Sequence, residues 1–140
     1  MSDFHQKQDA HVIIQEVLDR FCDTYNREDY DHAISFYRSD CWIVAPGLPD
    51  ITHGNTGIDQ GWRFIHDQQG FVKITVTNID AEYLNEHTIR DISRGYYNKQ
   101  DGSRVDFKSV AIWRNDADPQ DSDAQTDGSW KIATDTWNFN

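Results

Sequence analysis

Long apolar runs are missing from this chain, and so is any excess of basic charge. No stretch approaches the roughly 18 consecutive apolar residues of a membrane helix. The opening Met1-Ser2-Asp3-Phe4-His5-Gln6-Lys7-Gln8 is polar and lacks the apolar core of a secretory signal. Lys and Arg number 13 against 24 Asp and Glu, for a net charge of −11. A surface that acidic repels phosphate backbones and anionic lipid, which argues against nucleic acid and membranes as partners.

Cysteine is equally scarce. Cys22 and Cys41 are the only two and lack CxxC spacing, so neither a disulfide framework nor a zinc site is expected. They read as reduced thiols packed beside Phe21 and Trp42, in a cytoplasmic protein. No His/Asp/Glu set has metal-ligand spacing, no Ser/His/Asp or Cys/His triad is visible, and no glycine-rich phosphate loop is present. An enzyme of this sequence would work without a cofactor.

What the chain does hold is aromatic surface: five Trp, six Tyr and seven Phe in 140 residues. Such side chains carry large apolar area, and they pack cores and line ligand cavities. At this length they serve a single domain, residues 1–140, around one core.

The apolar positions Val12, Ile13, Val17, Leu18, Phe21, Cys22 and Tyr25 step by threes and fours, which predicts a helix from about Asp9 to Asn26. Tyr30, Ala33, Ile34 and Tyr37 predict a shorter second helix. Cys41 to Ala45 reads as a strand, closed by Pro46-Gly47-Leu48-Pro49. Asn55 or Thr56 is placed to cap a third helix carrying Ile58, Trp62, Ile65 and Gln69 on one side.

After Gly70 the period changes to two. Phe71–Tyr83, Thr88–Tyr97, Val105–Trp113 and Trp130–Phe139 read as four antiparallel strands, with turns at Asn85-Glu86 and Gln100-Asp101-Gly102. The polar run from Asn115 to Gly128 reads as a solvated loop. Its aspartates lack the Gly and terminal Glu of an EF-hand, so no metal is expected there.

Several words in this order resemble the nuclear transport factor 2-like and ketosteroid isomerase-like superfamily, in particular its SnoaL-like branch. They are Asp29-Tyr30-Asp31-His32-Ala33-Ile34-Ser35-Phe36-Tyr37, Ser39-Asp40-Cys41-Trp42-Ile43-Val44-Ala45-Pro46, His53-Gly54, and Gly128-Ser129-Trp130-Lys131-Ile132-Ala133-Thr134-Asp135-Thr136-Trp137-Asn138. The resemblance runs from about Val12 to Asn138. It implies an α+β cone in which three N-terminal helices pack in the concave face of a strongly curved antiparallel sheet. It also implies a deep apolar pocket for a small molecule and a homodimer through the outer sheet face. The superfamily spans isomerases, dehydratases, polyketide cyclases, transport factors and oligomerisation modules, so fold leaves function open.

Carried over position by position, the isomerase's groups are absent. That enzyme uses an aspartate base with a tyrosine and a protonated aspartic acid as oxyanion hole. Phe21 stands at the tyrosine position, Ala45 at the base and Val110 at the protonated acid. Asn26 falls where the dehydratase-type pattern carries an acid.

The resemblance makes Tyr37 and Trp62 pocket-lining residues, and Tyr25 and His66, four residues after Trp62, join the candidate lining. Strand alternation adds Trp137 and Tyr96. It is expected to turn Ala133, Asp135, Trp137 and Phe139 into the cone, with Asp106, Lys108, Val110 and Ile112 on the next strand and Ile92, Arg94 and Tyr96 beyond. Pairing Trp113 with Trp130 sets Lys108 opposite Asp135.

Two readings of those charges stand. Arg94, Lys108 and Asp135 form an ion-pair network that fastens three strands. Alternatively, Asp135 is a general base or ligand acceptor, with Lys108 or Arg94 holding an oxyanion. The function expected is cofactor-free acid/base chemistry on a small, partly apolar carbonyl or hydroxyl compound, or else non-catalytic binding or dimerisation. The small residues Ser93, Gly95, Ser109, Ala111, Thr134 and Thr136 are expected on the outer, dimer-forming face.

Overall fold

The structure, a computed structural model, describes residues 9–48, 50–116 and 129–140. The expected loop at 117–128 and the N-terminal octapeptide lie outside the described residues. Helix α1 spans Ala10–Asn26, and the Asp9 carboxylate caps it by accepting the His11 backbone N–H at 2.8 Å. Its buried stripe is Ala10, Ile14, Val17, Leu18, Phe21, Thr24 and Tyr25, whereas Val12 turns outward.

Helix α2 covers only Tyr30–Ile34, and strand β1 then runs Tyr37–Val44. Tyr37 therefore begins a strand instead of closing a helix. Strand β2 is the pair Thr52–His53, followed by helix α3, Gly54–Gln69. The helix starts at Gly54, ahead of the expected caps, and buries Ile58, Trp62 and Ile65. Gly70 ends it at φ 72°, a left-handed turn that glycine adopts without a Cβ clash.

Strands β3 (Phe71–Asn85), β4 (Thr88–Lys99), β5 (Arg104–Arg114) and β6 (Lys131–Phe139) form the expected meander. The sheet has six strands in the order β2-β1-β6-β5-β4-β3, antiparallel except where β1 joins β6 in parallel. The helices cover one face of this sheet, with α1 packed mainly on β3 and α3 on β1.

Amide side chains of α1 occupy the edge of β3. Gln15 accepts from Asn78 N at 2.7 Å and donates to Val76 O at 3.3 Å. Asn26 accepts from Ile74 N at 2.8 Å and donates to Ile74 O at 3.1 Å. An open sheet edge invites foreign strands, and these amides close it. Asn26, at the dehydratase acid's position, is thus spent on holding the sheet.

The alternation of β4 and β5 is the reverse of that expected. Ile89, Asp91, Ser93 and Tyr97 face inward from β4, and Phe107, Ser109, Ala111 and Trp113 from β5. Ile92, Arg94, Lys108 and Val110 lie on the outer face with Thr134 and Thr136. Across β5 and β6, Trp113 pairs with Ile132, and after an irregularity that leaves Ala133 unpaired, Ala111 pairs with Asp135. The expected pairing of Trp113 with Trp130 is two residues out there and three past the irregularity, where Lys108 meets Asn138 instead of Asp135, an odd slip that reverses a strand's faces.

Gly95 illustrates the consequence. It lies inside, and a Cβ on it would sit 2.2 Å from Thr75 O and 2.7 Å from the Phe107 ring. Glycine stands there because the Phe107 ring needs the space.

Candidate functional site

Three elements meet over the sheet where β6 turns Asp135 and Trp137 inward. From α3, the indole of Trp62 stacks on Trp137, with centroids 5.8 Å apart and planes 16° from parallel. From α1, Phe21 approaches Trp62 at 5.5 Å and meets Tyr37 edge-on at 6.1 Å. From the first residue of β1, Tyr37 donates its hydroxyl to Asp135 Oδ2 at 3.3 Å. Tyr97, Phe107 and Trp113 complete the wall from β4 and β5.

Between these rings is an internal cavity of about 40 Å³. A water needs roughly 10–15 Å³ of such space, so about three water-sized groups fit. The deep apolar pocket implied by the resemblance is therefore largely filled by its own aromatics. The cavity lining contains Asp91 and Asp135 but no Lys, Arg or His.

The two carboxyls sit in one cross-strand row. Asp91 pairs with Ala111 and Ala111 with Asp135, so only a methyl side chain separates them along the sheet. Strands repeat every 4.7–4.9 Å, which sets the two backbones about 10 Å apart. Burial pushes the Asp135 carboxyl up to about 7, the negative charge of Asp91 adds to the rise, and the Tyr37 hydrogen bond opposes it. Burial first, and then the charge of Asp135, hold the Tyr37 phenol well above its ordinary value.

Asp91 is 2% exposed and serves as an acceptor throughout. Trp113 Nε1–H donates to its Oδ2 at 2.9 Å, and Asn78 Nδ2–H donates to its Oδ1 at 2.7 Å. The Ser93 hydroxyl also donates to Oδ1. Burial raises this carboxyl, and the three donors oppose the rise. Asn78 is oriented in turn by the ring of His11, whose Nδ1 lies 2.6 Å from its Oδ1.

One donor in the wall has no acceptor. Trp62 is 3% exposed, and its Nε1–H lies beside the Tyr37 oxygen, where it eases ionisation of the phenol without closing a hydrogen bond. A buried donor left unpaired costs on the order of 1–3 kcal/mol.

The structure brings together Phe21, Tyr37, Trp62, Asp135 and Trp137. Tyr25 lies behind them, its ring 5.2 Å from Trp62 and its hydroxyl donated to Phe71 O at 2.6 Å. The remaining candidates lie elsewhere. Arg94 and Lys108 are neighbours on the outer face, so no ion-pair network joins them to Asp135. Val110 is 43% exposed there, and the inward residues flanking it, Ser109 and Ala111, are not acidic either. Tyr96 carries the Arg104 guanidinium 4.0 Å over its ring. Ala45 follows the end of β1 outside the cavity lining. His66 contacts Glu28 at 3.1 Å and the Tyr30 ring at 5.4 Å, away from the cavity.

Asp91, Ser93, Asn78 and Trp113 are the site residues that sequence reasoning missed. Ile89 and Tyr97 flank Asp91 and Ser93 at the same parity, and fixing β4 by that apolar pair would have turned both polar residues inward.

No family model matches the sequence, and no curated relative matches it. Solved structures do. A ketosteroid isomerase-like protein from Erwinia carotovora atroseptica superposes with a TM-score of 0.71 at 14% identity, covering 95% of this chain and 98% of its own. The fold is therefore nuclear transport factor 2-like. An NTF2-like protein from Shewanella oneidensis gives 0.69 at 12% identity, covering 89% of this chain and 94% of its own. A cystatin-like fold domain from Nostoc punctiforme gives 0.73 at 9%, covering 96% and 80%. At these identities the likeness is one of fold alone. Among the described residues, no helix is long and apolar enough to cross a membrane.

Proposed function

We propose that the Asp135 cavity is a cofactor-free acid/base site for a small, partly apolar carbonyl or hydroxyl compound. The observation that carries this reading is the unpaired Trp62 Nε1–H, buried beside the Tyr37–Asp135 hydrogen bond. An oxygen atom of a ligand satisfies that donor. It then lies beside a carboxyl that exchanges its proton near neutrality, as a general acid or base must. Asp135 is the proton carrier in this scheme. Tyr37, whose one O–H is given to Asp135, holds it in place, and Trp62 supplies the hydrogen bond to charge developing on the oxygen.

The test is proton exchange at carbon. Acetone and glycolaldehyde are incubated with the protein in deuterated water, and loss of α-proton NMR signal is followed. Exchange that depends on Asp135, and is lost in Asp135→Asn, supports the reading. Exchange that persists unchanged in Asp135→Asn overturns it.

The outer sheet face favours self-association of the same chain. Val44 pairs with Thr136, Thr136 with Val110 and Val110 with Ile92 in one row across four strands. Val44 is 47% exposed, Val110 43% and Ile92 38%, and Trp42 lies two residues before Val44 at 48%. A contiguous apolar row of this kind suits a two-fold homodimer. The residues forming it are these aliphatics rather than the small residues expected, since Ser93, Gly95, Ser109 and Ala111 lie inside.

A further inference from the structure

The cavity described above contains an electrostatic deficit that its own side chains leave unfilled. Asp91 accepts three hydrogen bonds, from the Trp113 indole, the Asn78 amide and the Ser93 hydroxyl, a donor set that suits an ionised carboxylate. It is buried, and among the described residues no cation forms an ion pair with it, the Arg90 charge easing its ionisation without a contact. Arg90 points to the other face of the sheet and pairs with Asp80 and Glu82. His11 is separated from it by the Asn78 amide. A buried charge without a counter-ion is costly, and a second carboxyl in the same row compounds the cost.

The walls are suited to a positive ligand. Trp62, Trp113 and Trp137 present indoles, and Phe21, Tyr97 and Phe107 present further rings. Aromatic faces attract cations, Trp most strongly, and more so away from water. Among the described residues no three His, Cys, Asp or Glu side chains gather as metal ligands. The chemistry of the wall therefore suits an organic ammonium group better than a metal ion. At the other end, the unpaired Trp62 N–H calls for an oxygen.

We infer that the cavity takes a small amino alcohol or aminocarbonyl compound, its ammonium group set toward Asp91 and the indole faces and its oxygen toward Trp62 and Asp135. This rests on the reading of the cavity as the functional site and narrows its substrate class to cations. The volume of about 40 Å³, room for about three water-sized groups, restricts the ligand to about three or four non-hydrogen atoms. Ethanolamine has that size and both groups.

The experiment compares ethanolamine and ethylammonium with two neutral compounds of similar size, ethylene glycol and 1-propanol, by tryptophan fluorescence and titration calorimetry on the full chain. Ethanolamine is expected to bind at least tenfold more tightly than either neutral compound, with ethylammonium between them. Asp91→Asn is expected to remove this preference. Should that variant fail to fold, Trp62→Phe supplies a second arm, and it is expected to weaken ethanolamine about tenfold more than it weakens ethylammonium. Neutral compounds binding as well as the cations would overturn the inference and leave the acid/base reading in place. Binding by neither class would overturn it too, and the exchange assay then decides the acid/base reading separately.

Discussion

Tyr37 and Asp135 lie 98 residues apart in sequence and meet through a 3.3 Å hydrogen bond inside the aromatic cavity. The parallel pairing of β1 with β6 makes this contact, since it lays the first strand beside the last. The bond also opposes the rise in the Asp135 pKa. Replacing Tyr37 by Phe should therefore push Asp135 above about 7 and destabilise the fold by about 1 kcal/mol, the usual worth of a hydrogen bond. Denaturation at several pH values measures both effects.

Asp135 should make stability fall as pH rises. Its folded pKa, about 7, is above that of an unfolded carboxylate, so the folded state holds the proton more tightly. Its stabilising contribution is complete below about pH 4 and is lost as pH climbs through 7, a change on the order of 4 kcal/mol. Asp135→Asn mimics the protonated acid. It should match the parent near pH 4, exceed it at pH 8, and flatten the profile between them.

Gly95→Ala should be among the most damaging single-methyl changes in the sheet. The added carbon meets a backbone carbonyl at 2.2 Å as well as the Phe107 ring, and the carbonyl cannot rotate away. A loss of about 2 kcal/mol or more is expected, at the upper end of overpacking costs. A thermal melt unchanged within a degree would show that β3 and β4 are farther apart than described.

Val110→Asp tests the outer face. Its charge would stand at the middle of the Val44–Thr136–Val110–Ile92 row. Light scattering at micromolar concentration should give a dimer mass for the parent and a monomer mass for the variant, with the melting profile of the core retained. A parent already monomeric contradicts the interface.

Much of the site was legible because helix spacing and the final strand agree with simple periodicity. Steps of three and four put Phe21 and Trp62 inside, and alternation put Asp135 and Trp137 on one face. The middle strands are misplaced because their expected parity rests on pairing Trp113 with Trp130, which sets Lys108 opposite Asp135. Their inner faces carry Ile89, Tyr97, Phe107 and Trp113 together with Asp91, Ser93 and Ser109, while Ile92 and Val110 stand outside on a face suited to self-association. The apolar residues alone would have chosen the right parity. Lys108 and Arg94 followed the error, and the irregularity around Ala133 hid the register that would have corrected it.

A single titration tests the account most directly. Carbon-13 NMR of aspartate carboxyls, with Asp135 assigned by its disappearance in Asp135→Asn, reports its protonation in the intact chain. A midpoint near 7 is predicted. A midpoint near 4, the ordinary carboxylate range, would mean the carboxyl is hydrated and no buried proton carrier exists.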